Sequence, residues 1–255
     1  MIVLLLVLST LSAPTETDLA LDALTRCASV VDDACLTAAA RLKVVGEPAI
    51  LPLAKRVGAM SAAGQLLALS VVGDTKSATI DAMLTKLASG ATVDASVRAL
   101  AIDALGKRHD KAGLQLATRL IVDPQPLVRQ AAVRVLANTV TARDKALIAA
   151  LTKASNDQAP TVRADAAFGL GFCGCAEAGP VLAARLADPD VGVQRAAAEG
   201  LCFVKHEPAL RPLVAALESP DPLVARAAIR ALQFQTEQSF GDDVGAWQRW
   251  LASRP

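Results

Sequence analysis

Few residues of this chain are equipped for covalent or metal chemistry. It has five Cys, only two His and no Tyr. Cys27 and Cys35 flank a predicted turn between two short helical patterns. A disulfide there would staple a hairpin and add about 2–3 kcal/mol by limiting the unfolded chain. Cys173, Cys175 and Cys202 end two neighbouring helical patterns. One of the first two could pair with Cys202 and leave an odd thiol. Adjacent packed helices stand about 10 Å apart, however, while a disulfide needs Cα atoms within about 7 Å. With His206, the three thiols make a zinc set by count, but Cys-x-Cys lacks the usual ligand gap. No metal or other cofactor is therefore expected. The string Gly169-Leu170-Gly171-Phe172-Cys173-Gly174 mimics a dinucleotide fingerprint, yet it ends a helical pattern instead of following a strand. Ser70 and Ser155 have no His in any recognisable frame, so no nucleophile-base pair is supported and the chain is read as a non-enzyme.

The elements that must position these residues are copies of one unit. LADPDVGVQRAAAEGL at Leu186 returns as LESPDPLVARAAIRAL at Leu217 and, more worn, from Leu120 and from Asp157. In each, an apolar helix runs into an Asp-Pro or similar turn, which Pro prevents from continuing as helix. A second helix then opens at a Val. Val97, Val128, Val162, Val193 and Val224 hold position zero, Ala101, Ala132, Ala166, Ala197 and Ala228 hold +4, and Leu105, Leu136, Leu170, Leu201 and Leu232 hold +8. That spacing is one buried helical face. With a weaker copy at Gly64, the starts 64, 97, 128, 162, 193 and 224 are separated by 33, 31, 34, 31 and 31 residues. A fixed period in this range means a solenoid.

The pattern D-P-x-x-x-V-R-x-x-A-A-x-x-x-L resembles the short bacterial HEAT-like repeat, which also occurs in phycobilin lyases. It is carried by Asp123, Val128, Arg129, Ala131 and Ala132 in one copy and by Val162, Arg163, Ala166 and Ala167 in the next, and spans roughly residues 47–235. The resemblance implies an all-α, right-handed α-α superhelix of about six two-helix repeats. It implies little about activity, because sites are grafted onto folds. It also implies that Arg98, Arg129 and Arg163, at +1, pair with turn carboxylates in the same or next repeat. Asp123, Asp157 and Asp188 are placed for such a ladder; a phosphate-binding row is the competing reading. HEAT-repeat hydroxylases hold two irons through several His-Glu pairs, whereas this chain has only His206-Glu207, which fails on ligand count. Glu207 reads instead as a first-turn carboxylate on a helix dipole.

The two ends differ from the repeats. Ile2 to Leu8 is an unbroken apolar run followed by small and polar residues, read as a secretory signal over 1–13, with a buried N-terminal helix as the competing reading. It is too short to span a bilayer as a helix. Export to the periplasm or outside is the expectation, with a cytoplasmic site if the run is not a signal. Residues 14–46 carry two helical patterns, one capped by Asp18 and one by Asp32 or Asp33, forming a hairpin that closes the stack. Residues 47–235 hold the repeats, and 236–255 hold both tryptophans. Trp247 and Trp250, at i and i+3, share a face and either seal the last repeat or form an aromatic ligand shelf. The resemblance favours a cap, because such an ending is familiar in HEAT-like proteins.

Function is expected on the row at +6, which lies off the buried face and should look onto the inner, concave side. It reads Ser70, Asp103, Arg134, Phe168, Glu199 and Arg230. An exposed aromatic with Arg beside it suits an anchor for a protein or peptide partner. The alternative is a set of ordinary solvated positions. The net charge of +1 argues against nucleic acid. The expected protein is thus a monomeric, exported, non-enzymatic scaffold that neither spans a membrane nor binds nucleic acid. A phycobilin-lyase-like tetrapyrrole handler is the alternative that the shared repeat raises.

Overall fold

The structure is a computed structural model that describes residues 15–28 and 31–254. The expected signal at 1–13 lies outside the described residues. Among the described residues there are fifteen α-helices and no strand. None of these helices is long and apolar enough to cross a membrane. The chain divides into two compact units between Met83 and Leu84.

The first unit contains α1 (Glu16–Thr25), α2 (Asp33–Val45), α3 (Glu47–Arg56) and α4 (Ala62–Val72). Thr15 caps α1. Its hydroxyl accepts the Asp18 N–H at 3.1 Å, and the Asp18 carboxylate accepts the Thr15 N–H at 3.1 Å. Asp18 therefore works from inside the helix as half of a capping box instead of as the cap itself. Asp32 caps α2 as expected, taking the Cys35 N–H at 2.8 Å. Leu21, Leu24, Leu42 and Leu53 form the core of this unit. Pro52 sits inside α3 without breaking it, and a 3-10 turn at Val57–Ala59 follows. The first copy of the repeating pattern thus packs with the hairpin: α3 lies against both α1 and α2. The boundary at Met83 falls within α5 (Ala78–Ser89).

The second unit is a two-layer stack. One layer is α6 (Ala95–Gly106), α8 (Pro126–Ala137), α10 (Pro160–Phe172), α12 (Val191–Gly200) and α14 (Pro222–Thr236), each packed on the next. The other is α7 (Lys111–Leu120), α9 (Lys145–Ala154), α11 (Ala178–Arg185) and α13 (Leu210–Ala216), and each of these packs on the helix of the first layer that follows it. The Val, Ala and Leu rows at zero, +4 and +8 face between the layers and are buried in every copy. Each second helix begins two residues before its Val. At Pro126, Pro160 and Pro222 this happens because Pro presets the helical φ and lacks an N–H to orphan, which suits the first turn. The 3-10 turn at Glu207–Ala209 delays the start of α13 to Leu210, as its two prolines suggest. α15 (Val244–Ala252) packs on α13. Trp247 is wholly buried there, donating its indole N–H to the Gly241 carbonyl at 3.0 Å, with Phe240 and Trp250 edge-on to its ring. Trp247 closes this end of the unit and is not a shelf.

Candidate functional site

Two rows of side chains run along the second helices, and they differ in kind. The first is at +1. Arg98 donates through Nη1 to Asp123 Oδ1 (3.1 Å) and through Nε to the Ala88 carbonyl (3.0 Å). Arg129 grips Asp157 with two bonds of 2.7 Å, and Arg163 grips Asp188 with bonds of 2.8 and 2.6 Å. Every Arg reaches the carboxylate of the turn in the following repeat. Arg129 and Arg163 also hold the Asp123 and Asp157 carbonyls of their own turns, both at 2.9 Å. Each Asp does a second job, because its Oδ1 accepts the N–H two residues on, at Gln125, Ala159 and Asp190, and shapes the turn before the helix.

These carboxylates are poorly hydrated. Burial alone would raise the pKa of Asp157 and Asp188. The Arg hydrogen bonds, the turn N–H and the guanidinium charges outweigh it and hold both below the ordinary carboxylate value. The matching Arg129 and Arg163 are pushed up, first by the bond to their Asp. The ladder ends at Gln194, whose amide donates to the Asp188 carbonyl at 2.7 Å. In the following turn the Asp position is held by Ser219, which accepts the Asp221 N–H. Arg and its Asp are therefore lost together, leaving no unpaired charge. This geometry is that of a satisfied structural seam, and no phosphate site is formed.

The second row lies on the opposite flank. The expected +6 residues are not one continuous patch. Asp103 and Arg134 bond to each other (2.6 and 3.2 Å), and Arg134 also lies 3.9 Å from Asp165. Asp165 stands at +3, where Ala131, Ala196 and Ala227 are buried in sister repeats. Desolvation raises its pKa, opposed by Gln130 and Arg134 and aided by Asp103. Two carboxylates share one guanidinium here, and Arg134, expected beside Phe168, is held in this network. Ser70 turns back to the Leu67 carbonyl at 2.7 Å.

Phe168, Glu199 and Arg230, by contrast, come together around a groove of about 340 Å³, with Phe172, Gly200, Cys202 and Phe203. Phe168, Phe172 and Phe203 are 50%, 64% and 62% exposed. Phe168 and Phe172 lie nearly parallel, with centroids 6.2 Å apart. The floor is made by glycine: a Cβ on Gly171 would stand 2.3 Å from the Gly200 Cα, so α10 and α12 meet backbone to backbone. Glu199 and Arg230 are 3.8 Å apart at the rim. Phe234, on the next helix, lies beneath the Lys205 ammonium at 5.9 Å.

Phe172, Phe203 and Phe234 lie outside the row expected from sequence. All three stand at +10, so they recur at intervals of 31 residues. On α10 and α14 that is one turn beyond +6 on the same face, and Phe203 stands in the turn just after α12. The signal was the repeat period itself, applied to exposed positions.

The cysteines behave differently in the two units. Cys27 and Cys35 are bonded, with Cα atoms 5.9 Å apart. Cys173 and Cys175 bond to each other, not to Cys202, because Gly174 takes a left-handed φ of +62° and folds the tripeptide back. Cys202 points toward the Ala198 and Ala227 carbonyls. Burial pushes its thiol up, Arg230 pulls it down and Glu199 adds to the rise. His206 does not join the thiols; its backbone N–H donates to Gln235 Oε1 at 2.8 Å. Glu207 pairs with Arg254 (2.8 Å). Among the described residues, no group of three His, Cys, Asp or Glu could hold a metal ion.

The stacked two-helix repeats make this an α-solenoid protein. The chain belongs to the HEAT repeat family: the family's model for HEAT repeats matches residues 80–171 and 179–242. The solved structure of the Escherichia coli protein YibA is similar, with a TM-score of 0.65 and 18% identity over 93% of this chain and 92% of that one. Two engineered proteins are also similar, at TM-scores of 0.55 and 0.52 and identities of 19% and 18%. They cover 88% of this chain in both cases, and 68% and 100% of their own. At such identities the likeness is one of fold alone. No curated protein matches the sequence.

Proposed function

We propose that this protein is an exported, non-catalytic binding module that takes a protein or peptide on the open face of its last repeats. One observation carries the reading: Phe168, Phe172 and Phe203 stand exposed together around a single groove, at positions where a solvated helix face would carry charge. Aromatic side chains of this kind, ringed by polar groups, are what concentrates binding energy in protein interfaces. The groove's one thiol, Cys202, is held protonated by burial, which suits packing and not nucleophilic chemistry. Export is supported by the bonded Cys27 and Cys35, since such bonds persist in oxidising compartments.

The test is capture with chemical cross-linking from a cell-envelope extract, read by mass spectrometry. The wild-type protein is the bait, with Phe168→Ala/Phe172→Ala/Phe203→Ala as control. A partner held by the first and lost by the second supports the groove. A partner held equally by both removes the groove from the account. A pigment co-purifying in place of a protein overturns the reading in favour of a tetrapyrrole handler. Alkylation of the untreated envelope pool checks export: Cys27 and Cys35 should be protected until reduced.

A further inference from the structure

The arginines of the open face differ from those of the ladder. Arg129 and Arg163 each make paired bonds to a carboxylate and a further bond to a carbonyl. Arg195, Arg226 and Arg230 are exposed, and among the described residues none of their guanidiniums has a hydrogen-bond partner. Arg230 comes nearest to one, with Glu199 at 3.8 Å, which is beyond hydrogen-bond reach. A guanidinium donates and cannot accept. Water satisfies an isolated surface Arg; what sets these three apart is their place.

Arg230 lines the groove together with Phe168, Phe172 and Phe203. Arg226 stands one turn before Arg230 on α14, on the same helix face. Arg195 stands one turn before Glu199, which also lines the groove, on α12. The matching position on α10 is Ala164, and that helix supplies the stacked rings of Phe168 and Phe172 instead. The groove is therefore aromatic toward α10 and cationic toward α14.

Charge along the face changes accordingly. Toward α8, the carboxylates of Asp103 and Asp165 outnumber the one guanidinium of Arg134 that they share. Around the groove the order is reversed. Lys205 and the three arginines meet only the carboxylates of Glu199 and Glu237. The whole chain carries +1, so this excess is a local field and not a property of the protein at large. A nucleic-acid strand suits it poorly, because Glu199 and Glu237 stand among the cations and oppose a charge at every nucleotide. A peptide can set carboxylates beside Arg226 and Arg230, where the guanidinium fork matches them, and none beside Glu199.

We infer that the groove and its adjoining arginines bind an acidic segment of another protein. The segment seats one large apolar side chain among Phe168, Phe172 and Phe203 and lays carboxylates on Arg226 and Arg230. Glu199 is then a resident competitor for Arg230 that the incoming carboxylate displaces. This inference rests on the binding reading given above and specifies the chemistry of the partner.

The experiment uses the purified protein and labelled twelve-residue peptides, followed by fluorescence anisotropy at low salt. One peptide carries a single Trp followed by four Glu in a Gly-Ser background. Three others replace the Glu by Gln, the Glu by Lys, or the Trp by Ser, and a single-stranded DNA of equal length is the fifth probe. The Trp-Glu peptide should bind at least about tenfold more tightly than each of the others and lose most of that advantage at high salt. Arg226→Ala/Arg230→Ala should weaken it by about fivefold or more and leave the Gln peptide unchanged. Phe203→Ala should weaken both. Glu199→Gln should tighten the Trp-Glu peptide by about two- to threefold, a gain that a structural role for Glu199 does not give. Arg226→Glu/Arg230→Glu should move the preference to the Lys peptide. Each variant should keep its far-ultraviolet spectrum. Equal binding of the Glu and Gln peptides overturns the inference, as does retention of the Trp-Glu peptide by the charge-reversed variant or tighter binding of the DNA. If no probe binds while envelope capture still depends on the phenylalanines, the acidic occupant is wrong and the binding face stands. If capture is also independent of them, both fail.

Discussion

The +1 row and the +10 row belong to the same layer of the same stack, yet one is closed and the other open. At +1 each Arg finds a carboxylate and a carbonyl, each Asp finds a guanidinium and a turn N–H, and the row ends only where Gln194 and Ser219 replace both charges together. At +10 three phenylalanines are exposed, Phe172 beside the Phe168 ring and Phe234 beneath the Lys205 ammonium. Periodicity alone therefore says that a position matters to the repeat. Whether its groups are satisfied separates a row that builds the stack from a row that is available to something else. The rows overlap on one helix only, α10, which carries both Arg163 and Phe172.

The sharpest way to break the comparison is to open the closed row. Arg129→Ala leaves Asp157 largely buried with only its turn N–H, and should cost about 2–3 kcal/mol, somewhat less than a fully buried pair because both side chains keep some exposure. Chemical denaturation measures it. Arg129→Gln with Asp157→Ser copies the neutral rung at Gln194 and Ser219, and should recover most of that loss.

Gly171→Ala acts on the floor of the groove beside the open row. Its Cβ would overlap the Gly200 backbone, so α10 and α12 must separate. A loss of roughly 1–3 kcal/mol is expected, together with loss of partner capture as the groove floor widens.

A smaller effect is set by pH. The folded pKa values of Asp157 and Asp188 lie below their unfolded ones. Their stabilisation is therefore complete above about pH 5 and is lost as pH falls through the carboxylate range. Asp165 has the opposite sign: its raised pKa gives a contribution present at low pH that fades as pH rises. Denaturation between pH 3 and 7 should show a steeper acid limb in wild type than in Asp157→Asn. Asp165→Asn should raise stability at pH 7 relative to wild type and leave pH 3 nearly unchanged.

The smallest effect on stability belongs to the open row. Phe203→Ala should change the unfolding free energy by no more than about 0.5 kcal/mol, as at an ordinary surface position. A larger loss would mean that the ring is part of the core.

The stack was legible because its rule is local. Val, Ala and Leu at fixed intervals mark a buried face, and all of them are buried. The ladder residues could be listed from the same alignment of copies, although the direction of pairing, always to the following turn, needed coordinates. The row at +6 was only half informative. Asp103 and Arg134 are near enough across one repeat to neutralise each other, which no single helix shows. The aromatic row was overlooked because +10 falls after the last buried Leu, where a search for buried positions stops. The bond between Cys173 and Cys175 depends on the left-handed Gly174, and the backbone that brings those sulfurs together is not written in the spacing.

The most direct test of the account compares two quantities on one variant, Phe172→Ala/Phe203→Ala/Phe234→Ala. Its unfolding free energy and its capture of envelope partners should be measured beside wild type. The account predicts stability within about 1.5 kcal/mol, the sum of three surface substitutions, and no specific partner retained. A loss of several kcal/mol, or full retention of the partner by a stable variant, would contradict the claim that this row is an open binding surface.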